Sequence, residues 1–328
     1  MPASPAALRF PSSRVLLPRT RLAYIHIRNL LTDAKRDRAA RISGYVAISL
    51  LDELITLYLL RGEVANATIR DSRGARPVAI ATVLESIPAE PEYGEITFCE
   101  ATEEQLGCMF GTHAKAAETW PEGLATQDPA ALFPYLMSIT FDGFVEIIAK
   151  DHVNYLIFAN GTVARAYLSS AHHGTVIDRV AKLFSREGRI SDLRISRWNL
   201  PATLPVQAPT ALVQAYRELS GSLVQRLVEL GRENAPALAE EKRQNLVEAH
   251  PALEGFSFNG TTTKAPLSET SALTAGVAAW IRDVIWAASD DDDDESIVPD
   301  QLLRELTWDR RHMFQSAGLF DQVPWKVM

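Results

Sequence analysis

The chain has 328 residues, an apolar fraction of 47%, a charged fraction of 23% and a formal net charge of −8. This length allows two or three domains with proper cores, and the composition is that of an ordinary globular protein rather than a disordered one. No run of the sequence approaches the roughly 20 apolar residues that a membrane span requires. Arginines interrupt the first apolar stretches, which does not suit a signal peptide, so we expect a cytoplasmic protein.

The first 43 residues are basic, with nine Lys or Arg against two acidic residues. We expect residues 1–19 to form a flexible basic arm and residues 25–40 to form a helix. The basic residues of this helix region are Arg28, Lys35, Arg36, Arg38 and Arg41. Because no aromatic residues are interleaved with them, we interpret them as a solvated face and do not expect nucleic-acid binding.

An internal repeat follows, because residues 44–67 match residues 143–166 without a gap at an offset of 99. Nine of these 24 positions are identical, whereas unrelated sequences would share about one or two. The sequence therefore contains two copies of one structural unit.

Each copy reads as three strands. The first strand begins at Gly44 or Gly143, and a hairpin turn follows the second strand at Arg61-Gly62 or Asn160-Gly161. Asn-Gly is a strong signal for a type I′ turn, which needs positive φ at both central residues. Arg61 suits that position less well, so we expect the first copy to use a different turn type.

The two-residue turn sets the faces of the hairpin. It pairs Leu59 with Val64 and Phe158 with Val163, on one face together with Leu57 and Leu156. By strict alternation, Ala67 and Ala166 then belong to the opposite face, with Tyr58 or Tyr155. Small alanines allow a close approach, so we expect both faces of each sheet to be covered.

Helical patterns flank these strands, at residues 75–87 in the first copy and 174–188 in the second, and a fourth strand closes each copy. The fold class is therefore α+β, with two repeated α-β-β-β-α-β units on antiparallel sheets and an all-helical C-terminal domain. The expected segments are an arm (1–19), repeat 1 (20–102), a linker (103–124), repeat 2 (125–198), a Pro-rich linker (199–209) and a helical domain (210–328).

The repeated motif resembles the PATAN domain, a family of unknown function that occurs with bacterial signalling proteins. The residues that carry the resemblance are Gly44, Gly62 and Ala67, with Gly143, Gly161 and Ala166. It covers a little under half of the chain. The resemblance implies a role in protein contacts, and it implies no catalytic residues.

The third segment is helical. One apolar stripe is formed by residues spaced by three or four positions: Leu212, Tyr216, Leu219, Leu223, Leu227 and Leu230. The stripe suits packing within a helical bundle better than a coiled coil, because it spans fewer than three heptads.

The C-terminal tail follows an acidic run, Asp290 to Glu295, that we interpret as a solvated loop. The tail carries four aromatic residues, Trp308, Phe314, Phe320 and Trp325. It either docks on its own helical domain or binds a partner.

Patterns typical of active sites are missing from the sequence: there is no phosphate-binding glycine loop with lysine, no His-Glu-x-x-His and no Gly-x-Ser-x-Gly. The pair His172-His173 is interpreted as an exposed loop rather than a metal site. We therefore expect a non-catalytic interaction or scaffold protein with no cofactor and no metal. Other proteins are the expected partners, and a second copy of the chain is one of them. The alternatives are a small-ligand sensor with a groove between the repeats and an enzyme of unrecognised type.

The candidate contact residues for a partner are the basic helix and the aromatic tail. A duplicated unit whose copies differ in one exposed helix suggests that the two copies took different partners.

Overall fold

The computed structural model describes residues 7–36, 42–88, 91–169, 175–186, 189–190, 193–199, 202–254, 256, 268–289 and 297–327. The acidic run, the His172-His173 pair and the residues Arg38 and Arg41 lie outside these ranges. The chain divides into two compact units, residues 1–205 and residues 206–328. Among the described residues, no helix combines the length and the apolar character needed to cross a membrane.

Unit 1 contains both repeats, and the expected α+β class is confirmed. In repeat 1 the elements are β1 (Arg14–Arg21), α1 (Ile27–Arg36), β2 (Gly44–Leu50), β3 (Glu53–Leu60), β4 (Glu63–Asp71), β5 (Gly74–Pro77), α2 (Ile80–Ser86) and β6 (Glu95–Glu100). In repeat 2 they are α4 (Pro129–Ser138), β7 (Gly143–Ala149), β8 (His152–Ala159), β9 (Thr162–Leu168), α5 (Val176–Phe184), β10 (Ser185–Arg186), β11 (Arg189–Ile190) and β12 (Leu193–Trp198). Helix α3 (Glu103–Ala114) lies between the two repeats in sequence.

The two repeats have the same topology. Sheet 1 has the strand order β1-β6-β2-β3-β4-β5, and sheet 2 has the order β12-β7-β8-β9. The four inner strands of sheet 1 thus correspond one to one with sheet 2, while β1 and β5 are additions at its two edges. Val46 and Val145 are fully buried at equivalent core positions, as are Leu59 and Phe158, which confirms the repeat.

The hairpin turns are also the same in both copies, so the expected difference in turn type is wrong. Arg61 and Gly62 have φ of 52° and 84°, and Asn160 and Gly161 have φ of 49° and 73°. All four residues are in the left-handed region, which a type I′ turn requires.

Equivalent hydrogen bonds hold each turn to the start of its repeat. The Gly62 N–H donates to the Ile42 carbonyl at 2.8 Å, and the Gly161 N–H donates to the Phe141 carbonyl at 2.9 Å. These bonds help to explain why arginine is tolerated at positive φ in the first copy.

A β-bulge follows each turn and corrects the face assignment of the alanines. Leu59 pairs with Val64, but Tyr58 pairs with Asn66, so Ala65 is an extra residue in the ladder. The same shift occurs between Phe158 and Ile157 in repeat 2. One inserted residue reverses the alternation. Ala67 therefore packs in the outer core of sheet 1 with Leu57 rather than with Tyr58, and Ala166 packs in the outer core of sheet 2 with Leu156.

Each sheet is covered on both faces. Helices α1 and α2 pack on the outer face of sheet 1, and helices α4 and α5 pack on the outer face of sheet 2. The inner faces of the two sheets share one apolar core with helix α3 and with the segment around Phe10. We call this shared layer the interlayer core. The two repeats are therefore packed against each other through their inner faces.

Two segments that were expected to be linker or arm are structured. Within the expected linker 103–124, residues 103–114 form α3, whose first turn is capped by Thr102 through the Gln105 N–H at 3.2 Å. Within the expected arm, the Arg9 N–H donates to the Asp151 carbonyl at 2.8 Å and the Val153 N–H donates to the Arg9 carbonyl at 2.9 Å. These backbone bonds tie the arm to sheet 2, and Phe10 inserts into the interlayer core.

The outer edge of β12 is closed by the segment that follows α3. The Glu118 N–H donates to the Arg197 carbonyl at 2.9 Å. The Trp120 Nε1–H donates to the Ile195 carbonyl at 2.9 Å, and the Gln127 amide donates to the Leu193 carbonyl at 3.0 Å. Every second carbonyl of the strand therefore has a partner, which is how proteins protect an edge strand from unwanted pairing.

Unit 2 is a helical domain. Its helices are α6 (Thr210–Glu229), α7 (Ala235–Leu246), α8 (Thr270–Ser289), α9 (Pro299–Thr307) and α10 (Arg311–Ser316). The apolar stripe is buried in the core of this unit from Leu212 to Leu227, and Leu230, which caps α6, is partly exposed. The expectation of packing within a bundle agrees with this burial.

Candidate functional site

The motif glycines that carry the sequence resemblance have structural roles. A Cβ atom at Gly44 would clash with the Cys99 carbonyl, and a Cβ atom at Gly143 would clash with the Trp198 carbonyl. Cys99 and Trp198 are themselves 99 positions apart, so the closing strand approaches the first strand in the same way in both copies. With the turn glycines and the buried alanines, these positions shape the fold and leave no side chain for chemistry.

The expected interaction residues differ in how exposed their side chains are. Arg28 is exposed on α1, and Lys35 and Arg36 lie in the last turn of α1, although their side chains are outside the described part. In the tail, Trp308 is exposed, whereas Phe314 is buried in the core of unit 2. Phe320 and Trp325 are partly buried against the same core.

The tail therefore docks on its own helical domain, because three of its four aromatic side chains pack there. Removing residues 308–328 would take away part of the core of unit 2, so such a truncation would not report on partner binding alone. Phe314 is no longer a candidate contact residue.

An exposed apolar surface lies instead on repeat 2, around strand β9. Met137 and Ile139 are at the C-terminal end of α4, Val163 is on β9, and Val176 and Ile177 begin α5. All five are exposed, from 38% for Val163 to 80% for Ile177. We call these five residues the repeat-2 apolar face.

Backbone geometry brings α4 and β9 together at this face. The turn glycine Gly161 lies against the end of α4, since a Cβ atom there would be 2.6 Å from the Met137 Cα. Val163 is two residues further along the chain. Helix α5 also packs against β9. Strand β9 thus contacts both of the helices that carry the other exposed apolar side chains.

Repeat 1 covers the position that is equivalent to Val163. Val64 corresponds to Val163 and is partly buried in the outer core of sheet 1. Asn66, which corresponds to the exposed Arg165, is buried and donates to the Pro205 carbonyl at 2.9 Å. The two copies therefore differ at the positions of Val163 and Arg165.

A second notable site is polar and lies in the interlayer core. Glu146 on β7 is 6% exposed, and the Tyr155 hydroxyl donates to its Oε1 at 3.3 Å. On the facing sheet, the Tyr58 and Thr68 hydroxyls are 3.1 Å apart. Burial raises the pKa of Glu146, of Tyr155 and of Tyr58 above their usual values.

Helix α3 contributes His113 to the same region. Its Nδ1–H donates to the Met109 carbonyl at 2.8 Å, and burial, with the nearby Arg70 charge, lowers the pKa of His113 to about 3. The Nε of Arg70 and the Oγ1 of Thr56 are buried with no hydrogen-bond partner among the described residues. Burial in the interlayer core therefore favours the neutral forms of Glu146, Tyr155, Tyr58 and His113.

Sequence reasoning missed this polar cluster, although one signal was present. Glu146 stands at an inward position of the strand Gly-Phe-Val-Glu-Ile-Ile-Ala, where repeat 1 has Ala47. An acidic residue within an otherwise apolar strand indicates a buried polar site. The partners of Glu146 come from other strands and from the other repeat, so spacing along the chain does not reveal them.

Among the residues that the structure describes, no group of three or more His, Cys, Asp or Glu side chains is arranged to hold a metal ion. Comparisons with models of protein families, with curated proteins and with solved structures find no match. The resemblance to the PATAN domain therefore rests on the sequence motif alone and stays a prediction.

Proposed function

We propose that the chain is a non-catalytic interaction or scaffold component of a bacterial signalling or regulatory system, that it acts in the cytoplasm, and that it binds other proteins through the repeat-2 apolar face. The observation that carries this proposal is the exposure of five apolar side chains on α4, β9 and α5. One of them, Val163, has a counterpart in repeat 1, Val64, that is partly buried. Clustered apolar side chains at a surface mark contact sites in water-soluble proteins.

The divergence of the two copies supports this reading. Both repeats keep the same core and the same turns. Folding alone therefore does not require the exposed apolar side chains of the repeat-2 apolar face. An exposed apolar edge is an aggregation hazard for a free protein. A partner that covers it removes that hazard, and apolar contacts then supply much of the affinity.

The small-ligand alternative is not favoured by the same geometry. A groove between the repeats would have to form in the interlayer core, where Phe10, Met109 and Phe110 are packed between the sheets.

The proposal is tested by a double variant, Met137→Glu with Ile177→Glu, in the full-length chain. Both side chains are exposed, so we expect the fold and the melting temperature to stay close to those of the wild type. Tagged wild-type and variant proteins are used to capture partners from native cells, and captured proteins are identified by mass spectrometry. We expect the specific partners of the wild type to be lost from the variant.

The matched control is Tyr24→Glu, because Tyr24 is an equally exposed apolar residue on repeat 1 and lies outside the proposed face. This control should retain every partner. Sedimentation velocity on the same three proteins shows whether the partner is a second copy of the chain. A folded double variant that keeps all partners and the same sedimentation coefficient would overturn the proposal.

A further inference from the structure

Glu146 is the most buried acidic residue in the described part of the chain. It belongs to β7, yet it faces groups from both sheets and from α3. Its counterpart in repeat 1 is Ala47, so the carboxyl group is an addition to repeat 2 and not a requirement of the shared fold.

The groups that face Glu146 come from five elements. Tyr155 on β8 is its hydrogen-bond donor at 3.3 Å. Tyr58 on β3 and Cys108 on α3 lie nearby; burial raises the pKa values of both, and an ionised Glu146 would raise them further. Arg70 on β4 and Arg194 on β12 oppose the effect of burial, because each lowers the pKa of Glu146.

Burial is the dominant influence on this carboxyl group. Among the described residues neither arginine forms an ion pair with Glu146, and Arg194 is exposed at the surface, where water screens its charge. A single hydrogen bond from Tyr155 does not replace the hydration that an ionised carboxylate loses on burial. The neutral form is therefore favoured while the two sheets are closed.

We infer that closure of the interlayer core is linked to a proton on Glu146: the carboxyl group is neutral while the sheets are closed, and opening the layer to water at neutral pH releases that proton. The sheets of the two repeats are then held more tightly at acidic pH than at alkaline pH. The inference concerns how the repeats are held together and does not depend on the proposed function.

The direction of the pH effect follows from linkage. In the open state Glu146 has an ordinary pKa of about 4.3, and in the closed state its pKa is raised. Below the open-state value the group does not oppose closure. Above that value the closing equilibrium constant falls about tenfold per pH unit, until the closed-state pKa is reached.

The cysteines provide a direct measurement of opening. Cys99 and Cys108 are the only cysteines of the chain, and both are buried in the interlayer core. A thiol reagent can reach them only when the layer opens. The labelling rate of each cysteine, divided by the rate of a free thiol at the same pH, therefore reports the opening equilibrium.

We would label the full-length wild type and Glu146→Gln with a disulfide reagent from pH 5 to pH 9, and assign the label at each cysteine by peptide mass spectrometry. Glutamine has nearly the same shape as protonated glutamate and carries no ionisable group. The corrected labelling rate of the wild type is divided by the corrected labelling rate of Glu146→Gln at the same pH. We expect this ratio to rise about tenfold per pH unit over part of the range.

Glu122→Gln is the control, because it removes an exposed carboxyl group from the same unit and should label like the wild type at every pH. Methionine is apolar and similar in length to glutamate. Glu146→Met is therefore used in place of Glu146→Gln if the glutamine variant does not form the closed interlayer core. A constant ratio between the wild type and the folded Glu146 variant across the pH range would overturn the inference.

Discussion

At the residue scale, the glycine of the second hairpin has two separate reasons to be glycine. Gly161 adopts a φ of 73°, and side chains other than glycine are strained in that region. It also lies so close to α4 that a Cβ atom would be 2.6 Å from the Met137 Cα and 2.8 Å from the Leu136 carbonyl. The turn and the packing against α4 therefore both require a residue without a Cβ atom at this position.

We predict that Gly161→Ala lowers the free energy of unfolding by about 2 kcal/mol or more, since a positive φ alone costs about 1 kcal/mol. The matched control is Gly123→Ala, because Gly123 has a φ of 81° and nothing within 4 Å of a Cβ atom. Urea unfolding of both variants separates the conformational cost from the clash. Equal destabilisation by the two substitutions would show that the packing on α4 is not tight.

The turn residues and the buried strand positions were predictable from the sequence, because local patterns determine them. Leu59 with Val64 and Phe158 with Val163 pair as the two-residue turn requires. The alanine faces were predicted wrongly because a bulge follows the turn. A bulge is set by packing on both sides of the strand, and short-range alternation carries no sign of it.

At the element scale, the segment between the repeats was expected to be a linker but contains helix α3. Thr102 followed three positions later by Gln105 is a capping signature, and the next residues are apolar, so a helix at Glu103–Ala114 was readable from the sequence. The burial of α3 between two sheets was not, because it depends on contacts between distant parts of the chain. A segment that looks like a linker is in fact central to the core of unit 1.

The segment after α3 is fastened to sheet 2 by Arg197. Its side chain is 11% exposed and its guanidinium lies 4.9 Å from the Trp120 ring and 5.6 Å from the Tyr135 ring. It also donates to the Thr119 carbonyl at 3.0 Å and to the Tyr135 hydroxyl at 3.1 Å. One planar cation therefore joins the connecting segment, α4 and β12.

We predict that Arg197→Ala reduces the free energy of unfolding by about 2 kcal/mol or more, because a desolvated cation–π contact and its hydrogen bonds are lost together. Arg197→Lys should recover only part of this loss, since an ammonium group lacks the planar donors. The control is Arg194→Ala, at an exposed position of the same strand, with an expected change of about 0.5 kcal/mol or less. Thermal unfolding that ranks Arg194→Ala with Arg197→Ala would contradict this account.

At the scale of the whole molecule, the two repeats of unit 1 form one body with a shared core. Each repeat has an outer core of its own, but the inner faces of both sheets contribute to the interlayer core. The sequence revealed the duplication and the fold class. It did not reveal that the copies face each other, because no local pattern encodes the packing of one sheet against another.

The shared core determines which surfaces of the repeats are left for a partner. With both inner faces occupied, only the outer faces and edges of the repeats are left for partners. Repeat 1 closes its edges with β1 and β5, and β12 of repeat 2 is closed by residues 118–127. The surface around β9 keeps its apolar residues exposed, and that surface is the one we propose for partner binding.

Hydrogen exchange on the full-length chain shows whether the two repeats unfold together, as a shared interlayer core requires. Val46→Ala creates a cavity in the outer core of repeat 1, about 2 kcal/mol in cost, and does not touch repeat 2. If the repeats unfold as one body, slowly exchanging amides of β7 and β8 lose as much protection as those of β2 and β3. Val145→Ala is the equivalent change in repeat 2. It should lower the protection of the amides of β2 and β3 as much as that of the amides of β7 and β8. A loss of protection confined to the substituted repeat in both variants would contradict the account, because it would mean that the two repeats are independent domains.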